Sequence, residues 1–139
     1  MKYVLDANVA LRFVLNEMHS DKARRLRDEF RAGHHELLAP DFFPVEVAHV
    51  LTKTERRRAI PQGQSNVLLE DILADCPILY DPFPYLSMAT EMSSQTRGSV
   101  YDLIYYLLAE DHGCQLITAD RKLVNTFPGS RSIVELSQL

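Results

Sequence analysis

Short apolar runs alternate along the chain with longer segments in which apolar residues recur every three or four positions. The apolar runs predict buried strands, at residues 3–5, 36–39, 77–80, 115–118 and near 133–134. The periodic segments predict helices, at residues 8–15, 20–33, 41–58, 65–73, 84–96, 101–111 and 121–127. Strands that alternate with helices predict an α/β fold: one domain over residues 1–139, with a doubly wound, mostly parallel sheet of about five short strands and helices on both faces.

Capping residues support several of these boundaries. Ser20 is predicted to be the N-cap of the second helix, and Gly33 to stop it. Pro44 falls in the first turn predicted for the helix over residues 41–58, where a missing N–H group costs no hydrogen bond.

Composition and charge exclude several classes of protein. The 139 residues are 46% hydrophobic and 24% charged, with a net charge of −4, which is typical of an ordered globular domain. Because the chain is not basic, any contact with nucleic acid must come from a local patch. No apolar run is long enough to cross a membrane, and Asp6 interrupts the N-terminal segment too early for a signal peptide. Cys76 and Cys114 form no disulfide framework, so a reducing, cytoplasmic compartment is expected.

Acidic residues follow two of the predicted strands. Asp6 comes directly after the first strand, and Asp120 closely follows the fourth. In doubly wound folds the ligand crevice lies beyond the carboxyl ends of the strands. Asp102 falls in the first turn of the helix predicted over 101–111, and Glu46 falls early in the helix over 41–58. We therefore expect these four carboxylates to converge at one rim of the sheet.

Each acid taken alone has an ordinary structural explanation. Asp6 and Asp120 could cap the helices that follow them, and Asp102 could be a favourable partner of its helix dipole. Glu46 could lie on a partly exposed helix face, although its immediate neighbours are apolar. The set of four is much more specific than any one member.

Converging carboxylates imply a metal ion, because like charges in one pocket raise each other's pKa values unless a cation neutralises them. Oxygen ligands favour Mg²⁺ or Mn²⁺ over zinc, and no His or Cys spacing typical of zinc occurs. One or two such ions would support phosphoryl chemistry by activating water and stabilising the leaving oxygen. The chain has no GxSxG, GxxxxGK[ST] or GxGxxG motif to support other chemistry.

Four segments together resemble the PIN-domain family, and within it the VapC-type toxin ribonucleases of type II toxin–antitoxin pairs. They are YVLDANV at 3–9, VEVAHVL at 45–51, SVYDLIYYLLAE at 99–110 and LITADRKL at 116–123. The resemblance covers essentially the whole chain. It implies that the catalytic, metal-binding acids are those already singled out: Asp6, Glu46, Asp102 and Asp120.

The same resemblance implies three supporting positions. Asn8 matches a small polar residue that would orient Asp6 by hydrogen bonding, and Thr118 matches a hydroxyl two residues before the fourth acid. Asn125 loosely matches an optional further ligand, for which an amide would bind metal more weakly than a carboxylate. The ordinary alternatives are a helix-start residue for Asn8 and a plain strand residue for Thr118.

The family implies a function and partners. It predicts a Mg²⁺- or Mn²⁺-dependent endoribonuclease that cuts single-stranded RNA, forms a homodimer, and is blocked by a small antitoxin protein inserted into its groove. Arg56, Arg57 and Arg58 could hold the RNA backbone, although basic residues at a helix end also complement the helix dipole. The basic residues over 22–31 are expected to form a solvated helix face, since acids are interleaved with them. Core or dimer contacts are expected for Tyr101, Tyr105 and Tyr106 in preference to base stacking.

Two other classes of function compete with this interpretation. A haloacid-dehalogenase-like phosphotransferase requires a second Asp where this chain has Asn8. A receiver domain requires an acidic pair near the first strand, which is missing, and a separate mid-chain Asp, for which Asp81 could be nominated. A PIN-fold module could also bind RNA or a protein without cutting. Retention of all four acids argues against that module, because unneutralised like charges cost stability.

Overall fold

One parallel sheet organises the computed structural model, which describes residues 1–139. Its strands are β1 (Lys2–Leu5), β2 (Glu36–Pro40), β3 (Ile78–Tyr80), β4 (Gln115–Thr118) and β5 (Ile133–Glu135). They lie in the order β3-β2-β1-β4-β5, and every neighbouring pair is parallel. The predicted fold class is therefore confirmed, with a sheet that is wholly parallel.

Seven α-helices connect the strands. They are α1 (Ala7–Leu11), α2 (Ser20–Arg31), α3 (Phe43–Arg56), α4 (Gln64–Leu73), α5 (Leu86–Thr96), α6 (Val100–Asp111) and α7 (Arg121–Thr126). The chain adds β2 and β3 on one side of β1, then returns to place β4 and β5 on the other. Right-handed crossovers therefore put α1 to α4 on one face of the sheet and α5 to α7 on the other. None of the helices has the length and apolar character needed to cross a bilayer.

The α6 helix is the centre of the core on its face of the sheet. It contacts β1, β2 and β4 on one side and α5 on the other, and residues 103–109 are all buried. A helix that is apolar on nearly every side is stable only when it is buried on nearly every side, which explains why α6 lies between the sheet and α5. The packing fixes the first turn of α6, with Asp102, beside the carboxyl ends of the strands.

Several boundaries differ from the sequence predictions, each for a local reason. His19, with φ of 67°, caps α2 in place of Ser20. The Ser20 hydroxyl instead donates to the Leu15 carbonyl (2.7 Å) and accepts from the Glu17 N–H (2.9 Å), which ties down the preceding turn. The α3 helix begins at Phe43, two residues later than predicted, because the Asp41 N–H donates to the Tyr80 carbonyl (2.8 Å) and prolongs the β2–β3 pairing.

Two helices are also shorter than predicted. The α1 helix ends at Leu11, and turns follow it up to residue 15. The segment over 84–96 divides into a 3-10 turn at Phe83–Tyr85 and the α5 helix.

Candidate active site

The switch point of the sheet lies between β1 and β4, because the chain leaves these neighbouring strands toward opposite edges. Such points form the ligand crevice of open α/β sheets. The Asp6 N–H donates to the Ile117 carbonyl (3.1 Å), so Asp6 stands where β1 ends against β4. Asp120 lies two residues beyond the end of β4. Both acids are thus at the carboxyl rim of the two central strands.

Asp6 is the most deeply buried of the acids, with 5% of its surface exposed. Its Oδ2 accepts a hydrogen bond from the Thr118 hydroxyl (2.8 Å), and its Oδ1 accepts a longer one from the Asn8 backbone N–H (3.4 Å). Burial raises the pKa of Asp6 to about 7, and the charges of Asp102 and Glu46 contribute in the same direction. The two hydrogen bonds oppose this increase without cancelling it.

The Thr118 hydroxyl joins three parts of the rim. Besides donating to Asp6, it accepts from the Asp120 backbone N–H (3.1 Å) and from the Asn8 amide Nδ2 (3.4 Å). The Asn8 Oδ1 accepts from the Ala119 N–H (3.0 Å). The expected hydrogen bond from Asn8 to Asp6 is donated by the Asn8 backbone N–H, and the Asn8 side chain does not bond to Asp6 directly. It holds Thr118 and the turn after β4, and only its backbone reaches Asp6.

Asp102 projects from the first turn of α6 beside this group. The Ser99 hydroxyl caps the helix by accepting the Asp102 backbone N–H (3.0 Å). Burial raises the pKa of the Asp102 carboxyl, the Ser99 contact lowers it, and the charge of Asp120 raises it further. Sequence reasoning missed Ser99, although a Ser three residues before an acid at a helix start is a capping signal.

Glu46 reaches the rim from the first turn of α3. Its Oε1 accepts a hydrogen bond from the hydroxyl of Tyr105 (2.7 Å), which is fully buried on α6. Burial raises the pKa of Glu46, the Tyr105 hydrogen bond lowers it, and the charge of Asp102 raises it. The expectation of a core role for Tyr105 missed this contact. A tyrosine three residues after Asp102 shares its helix face, and that spacing was the available signal.

Asp120 completes the group as the N-cap of α7, where its Oδ1 accepts the Lys122 N–H (2.9 Å). Electrostatic coupling links Asp102 to the other three acids, and Asp6 to Glu46. The structure thus brings Asp6, Glu46, Asp102 and Asp120 to one rim.

The donor chemistry of this rim fits Mg²⁺ or Mn²⁺, since all four side chains offer hard oxygen ligands. In this structure no three His, Cys, Asp or Glu side chains lie close enough together to ligate one metal ion. These two observations are compatible, because charges interact over several ångströms whereas ligands must surround one point at about 2.0–2.1 Å. Carboxylates that repel one another are expected to stand apart until a cation draws them together.

The remaining predicted residues lie away from the four acids. Asn125 is exposed near the end of α7 and donates or accepts no hydrogen bond with any of them. Arg56, Arg57 and Arg58 are exposed at the C-terminal end of α3, and none forms an ion pair. At 1.5 Å per residue, Arg56 lies about 15 Å along the helix from Glu46.

The fold and this acidic rim define an α/β domain of the PIN class. The PIN domain family matches residues 3–126, and the chain belongs to that family. The chain is 30% identical to Ribonuclease VapC3 of Pyrobaculum aerophilum over 130 residues, which span 92% of this chain and 96% of that protein. The resemblance to VapC-type PIN proteins is thereby confirmed.

A solved structure gives independent support for the fold. The crystal structure of PAE2754 from Pyrobaculum aerophilum matches with a TM-score of 0.71, covering 99% of this chain and 94% of that one at 21% identity. Membership of the PIN family leaves the dehalogenase-like and receiver-domain alternatives without support.

Proposed function

We propose that the protein is a Mg²⁺- or Mn²⁺-dependent endoribonuclease that hydrolyses phosphodiester bonds of single-stranded RNA, and that it is the toxin of a toxin–antitoxin pair. The observation that carries the proposal is the meeting of Asp6, Glu46, Asp102 and Asp120 at the switch point of the sheet. Similarity to Ribonuclease VapC3 supports the same activity.

The four acids would hold one or two divalent ions at the rim. A bound ion of this kind activates water and stabilises the leaving oxygen in phosphodiester hydrolysis. The chain's contribution is to position the ligands. Thr118 fixes one carboxylate oxygen of Asp6, and Tyr105 fixes one of Glu46. Burial of Asp6 excludes water from the side of the site that faces the core.

The proposed partners are a second copy of the chain and a small antitoxin protein that blocks the groove. Exposed apolar side chains along β3 and the start of α5 offer a contact surface for such partners; they are Ile78, Leu79, Phe83, Leu86 and Met88. Two free thiols, Cys76 and Cys114, agree with a cytoplasmic location.

A cleavage assay with purified protein tests the proposed activity. Single-stranded RNA is incubated with the wild-type chain in chelator, in Mg²⁺ and in Mn²⁺, and again with Asp6→Asn and Asp102→Asn. We expect cleavage only with metal, and a loss in each variant larger than the roughly 100-fold cost of removing an outer-shell partner. Glu70→Gln removes a charge from an exposed position on α4 and is the matched control.

Three outcomes would contradict the proposal. Cleavage by either Asp variant at the wild-type rate would exclude the site, provided that circular dichroism shows both to be folded. Cleavage that persists in chelator would exclude the metal. RNA that is bound but remains intact with either metal would indicate a binding module instead of a nuclease.

A further inference from the structure

An exposed aromatic ring stands directly beside the acidic rim. Tyr101 precedes Asp102 on α6, and 58% of its surface is exposed. Its ring packs edge-to-face on Phe42, with centroids 5.1 Å apart and planes at 88°. Phe42 in turn packs edge-to-face on Tyr105 at 5.6 Å, and Tyr105 holds Glu46. One side of the Tyr101 ring therefore packs on residues that contact the acidic rim, while its other side is exposed.

Tyr101 forms one wall of an open cleft that contains a member of the acidic rim. The cleft has a volume of about 420 Å³ and is lined by Phe42, Val45, Glu46, His49 and Tyr101. That size falls within the range of about 300–1,000 Å³ usual for small-ligand clefts. Because Glu46 belongs both to the cleft and to the acidic rim, a ligand in the cleft would lie next to any group bound at the rim.

The chemistry of the cleft suits the base of a nucleotide better than its phosphate. No Lys or Arg side chain lines the cleft, so the cleft itself supplies no fixed positive charge for a phosphate, whereas its aromatic and apolar walls suit a base. Single-stranded RNA is recognised through splayed bases that stack on aromatic rings and form hydrogen bonds along their edges. His49, one turn after Glu46 on α3, supplies ring nitrogens at the same cleft.

We propose that Tyr101 is the stacking platform for an unpaired nucleobase adjacent to the phosphodiester held at the acidic rim, and that this base occupies the cleft between Tyr101 and His49. The inference rests on the proposed function, because it places RNA at the rim. Tyr101 is too exposed to have the expected core role, and base stacking is proposed here in place of the expected dimer contact. Tyr101 acts here as a substrate-binding residue.

Fluorescence of 2-aminopurine, which falls when the base stacks, tests the proposal directly. Short single-stranded RNAs carry this base at successive positions and are titrated with the chain in an Asp120→Asn background, which slows cleavage and leaves the cleft intact. We expect quenching at one position, retained by Tyr101→Phe and lost in Tyr101→Leu. The affinity measured by anisotropy should fall about 5- to 150-fold in Tyr101→Leu.

Tyr85→Leu is the matched control for loss of a tyrosine ring. Its hydroxyl donates to Asp111 (2.6 Å) at the opposite end of α6, so quenching and affinity should stay at the level of the background. Quenching that persists in Tyr101→Leu, quenching that is equal at every position, or the absence of RNA binding would each overturn the inference. A Tyr101→Leu change that alters the oligomeric mass but not RNA affinity would assign the ring to a protein interface instead.

The outcomes separate this inference from the proposed function. If the chain with Asp120 intact never cleaves RNA but quenching still depends on Tyr101, stacking stands and the nuclease proposal fails. If that chain cleaves RNA with metal but Tyr101→Leu binds and quenches unchanged, the nuclease proposal stands and stacking fails.

Discussion

The Thr118 hydroxyl donates to the Asp6 Oδ2 over 2.8 Å, although 112 positions separate the two residues in the sequence. The contact crosses the switch point from β4 to the end of β1. Because the same hydroxyl accepts from the Asp120 N–H, it sets the position of one acid and of the backbone of another. A fully buried strand threonine therefore links two of the candidate site acids through its hydroxyl group.

Thr118→Val should destabilise the protein and disturb the site. The substitution keeps the shape but leaves the Asp120 N–H without its side-chain acceptor in a partly buried turn, which costs about 1–3 kcal/mol in the free energy of unfolding. The pKa of Asp6 should rise further, because the lost hydrogen bond lowers it. Urea unfolding and the pH dependence of cleavage measure the two effects.

Thr118→Ser is the control for that substitution. It keeps the hydroxyl and removes only a methyl group, so its pH profile should match that of the wild type. Equal pH profiles for the Val and Ser variants would show that the hydroxyl does not act on Asp6.

Tyr105→Phe should weaken metal binding without unfolding the chain. The Glu46 carboxylate would lose its 2.7 Å hydrogen bond, so its pKa should rise and its side chain should be less well oriented. If Glu46 binds the ion as proposed, metal affinity should fall about 10- to 100-fold, the usual effect of losing an outer-shell partner. Calorimetric titration with Mn²⁺ measures this change.

The adjacent tyrosine offers a matched control. Tyr106 also donates to a glutamate, Glu110 (2.6 Å), but does so near the other end of α6. Tyr106→Phe should therefore leave Mn²⁺ affinity at the wild-type value. An equal loss in both variants would indicate a general effect on α6 and not on Glu46.

The metal-free protein should lose stability as the pH rises. Folding raises the pKa of Asp6 from 3.8 to about 7, so the folded state holds a proton that the unfolded state releases across this interval. The proton on Asp6 contributes its full stabilisation of the folded state below about pH 4, and this contribution is lost as the pH rises through 7. The free energy of unfolding should decrease by on the order of 4 kcal/mol over this range. The raised pKa values of Glu46 and Asp102 act in the same direction. Chemical unfolding in chelator at a series of pH values checks the sign.

Divalent metal should reverse this trend above pH 7. An ion that binds only the folded state adds about 2.7 kcal/mol at a concentration 100 times its Kd. Its ligands must be deprotonated, so the gain should increase with pH. Asp6→Asn should flatten the pH dependence of the metal-free chain and reduce the increase in Tm with Mn²⁺. A wild-type Tm that is unchanged by Mn²⁺ would contradict a metal site at the rim.

Sequence patterns predicted the fold well because its elements are regular. Apolar runs mark strands such as β1 and β4 wherever both faces of the sheet are covered, and the meeting of Asp6 with Asp120 follows from parallel strand order. The convergence of Asp102 and Glu46 on the same rim was also expected, because both acids fall early in predicted helices.

The hydrogen bonds around the acids could not be predicted in the same way. The Asn8 side chain bonds to Thr118 and to the turn after β4, a choice decided by distances that depend on the register between β1 and β4. The Tyr105–Glu46 contact depends on how α6 and α3 approach each other from opposite faces of the sheet. The left-handed His19 is a local exception, which arises because the hydroxyl of the expected capping residue, Ser20, bonds to the preceding turn instead.

The arginines at the end of α3 should contribute to RNA affinity but not to the chemical step. Arg56, Arg57 and Arg58 are exposed and free of ion pairs, and Arg56 lies about 15 Å from Glu46 along the helix. Replacing all three with Gln should weaken binding at low salt and reduce the slope of log affinity against log salt by up to about 2, since each phosphate contact on a single strand contributes roughly 0.7. The rate at saturating RNA should not change.

A second triple variant separates this effect from net charge alone. Arg24, Arg25 and Arg31 on α2 are each paired with a neighbouring side chain, respectively Asn16, Glu29 and Asp75. Replacing these three with Gln removes the same charge but should change the salt slope much less, because they already have partners. Equal slopes for the two triple variants would show that RNA affinity depends only on the overall charge of the protein. A change confined to the α2 variant would indicate that the RNA backbone binds to the basic residues of α2 instead.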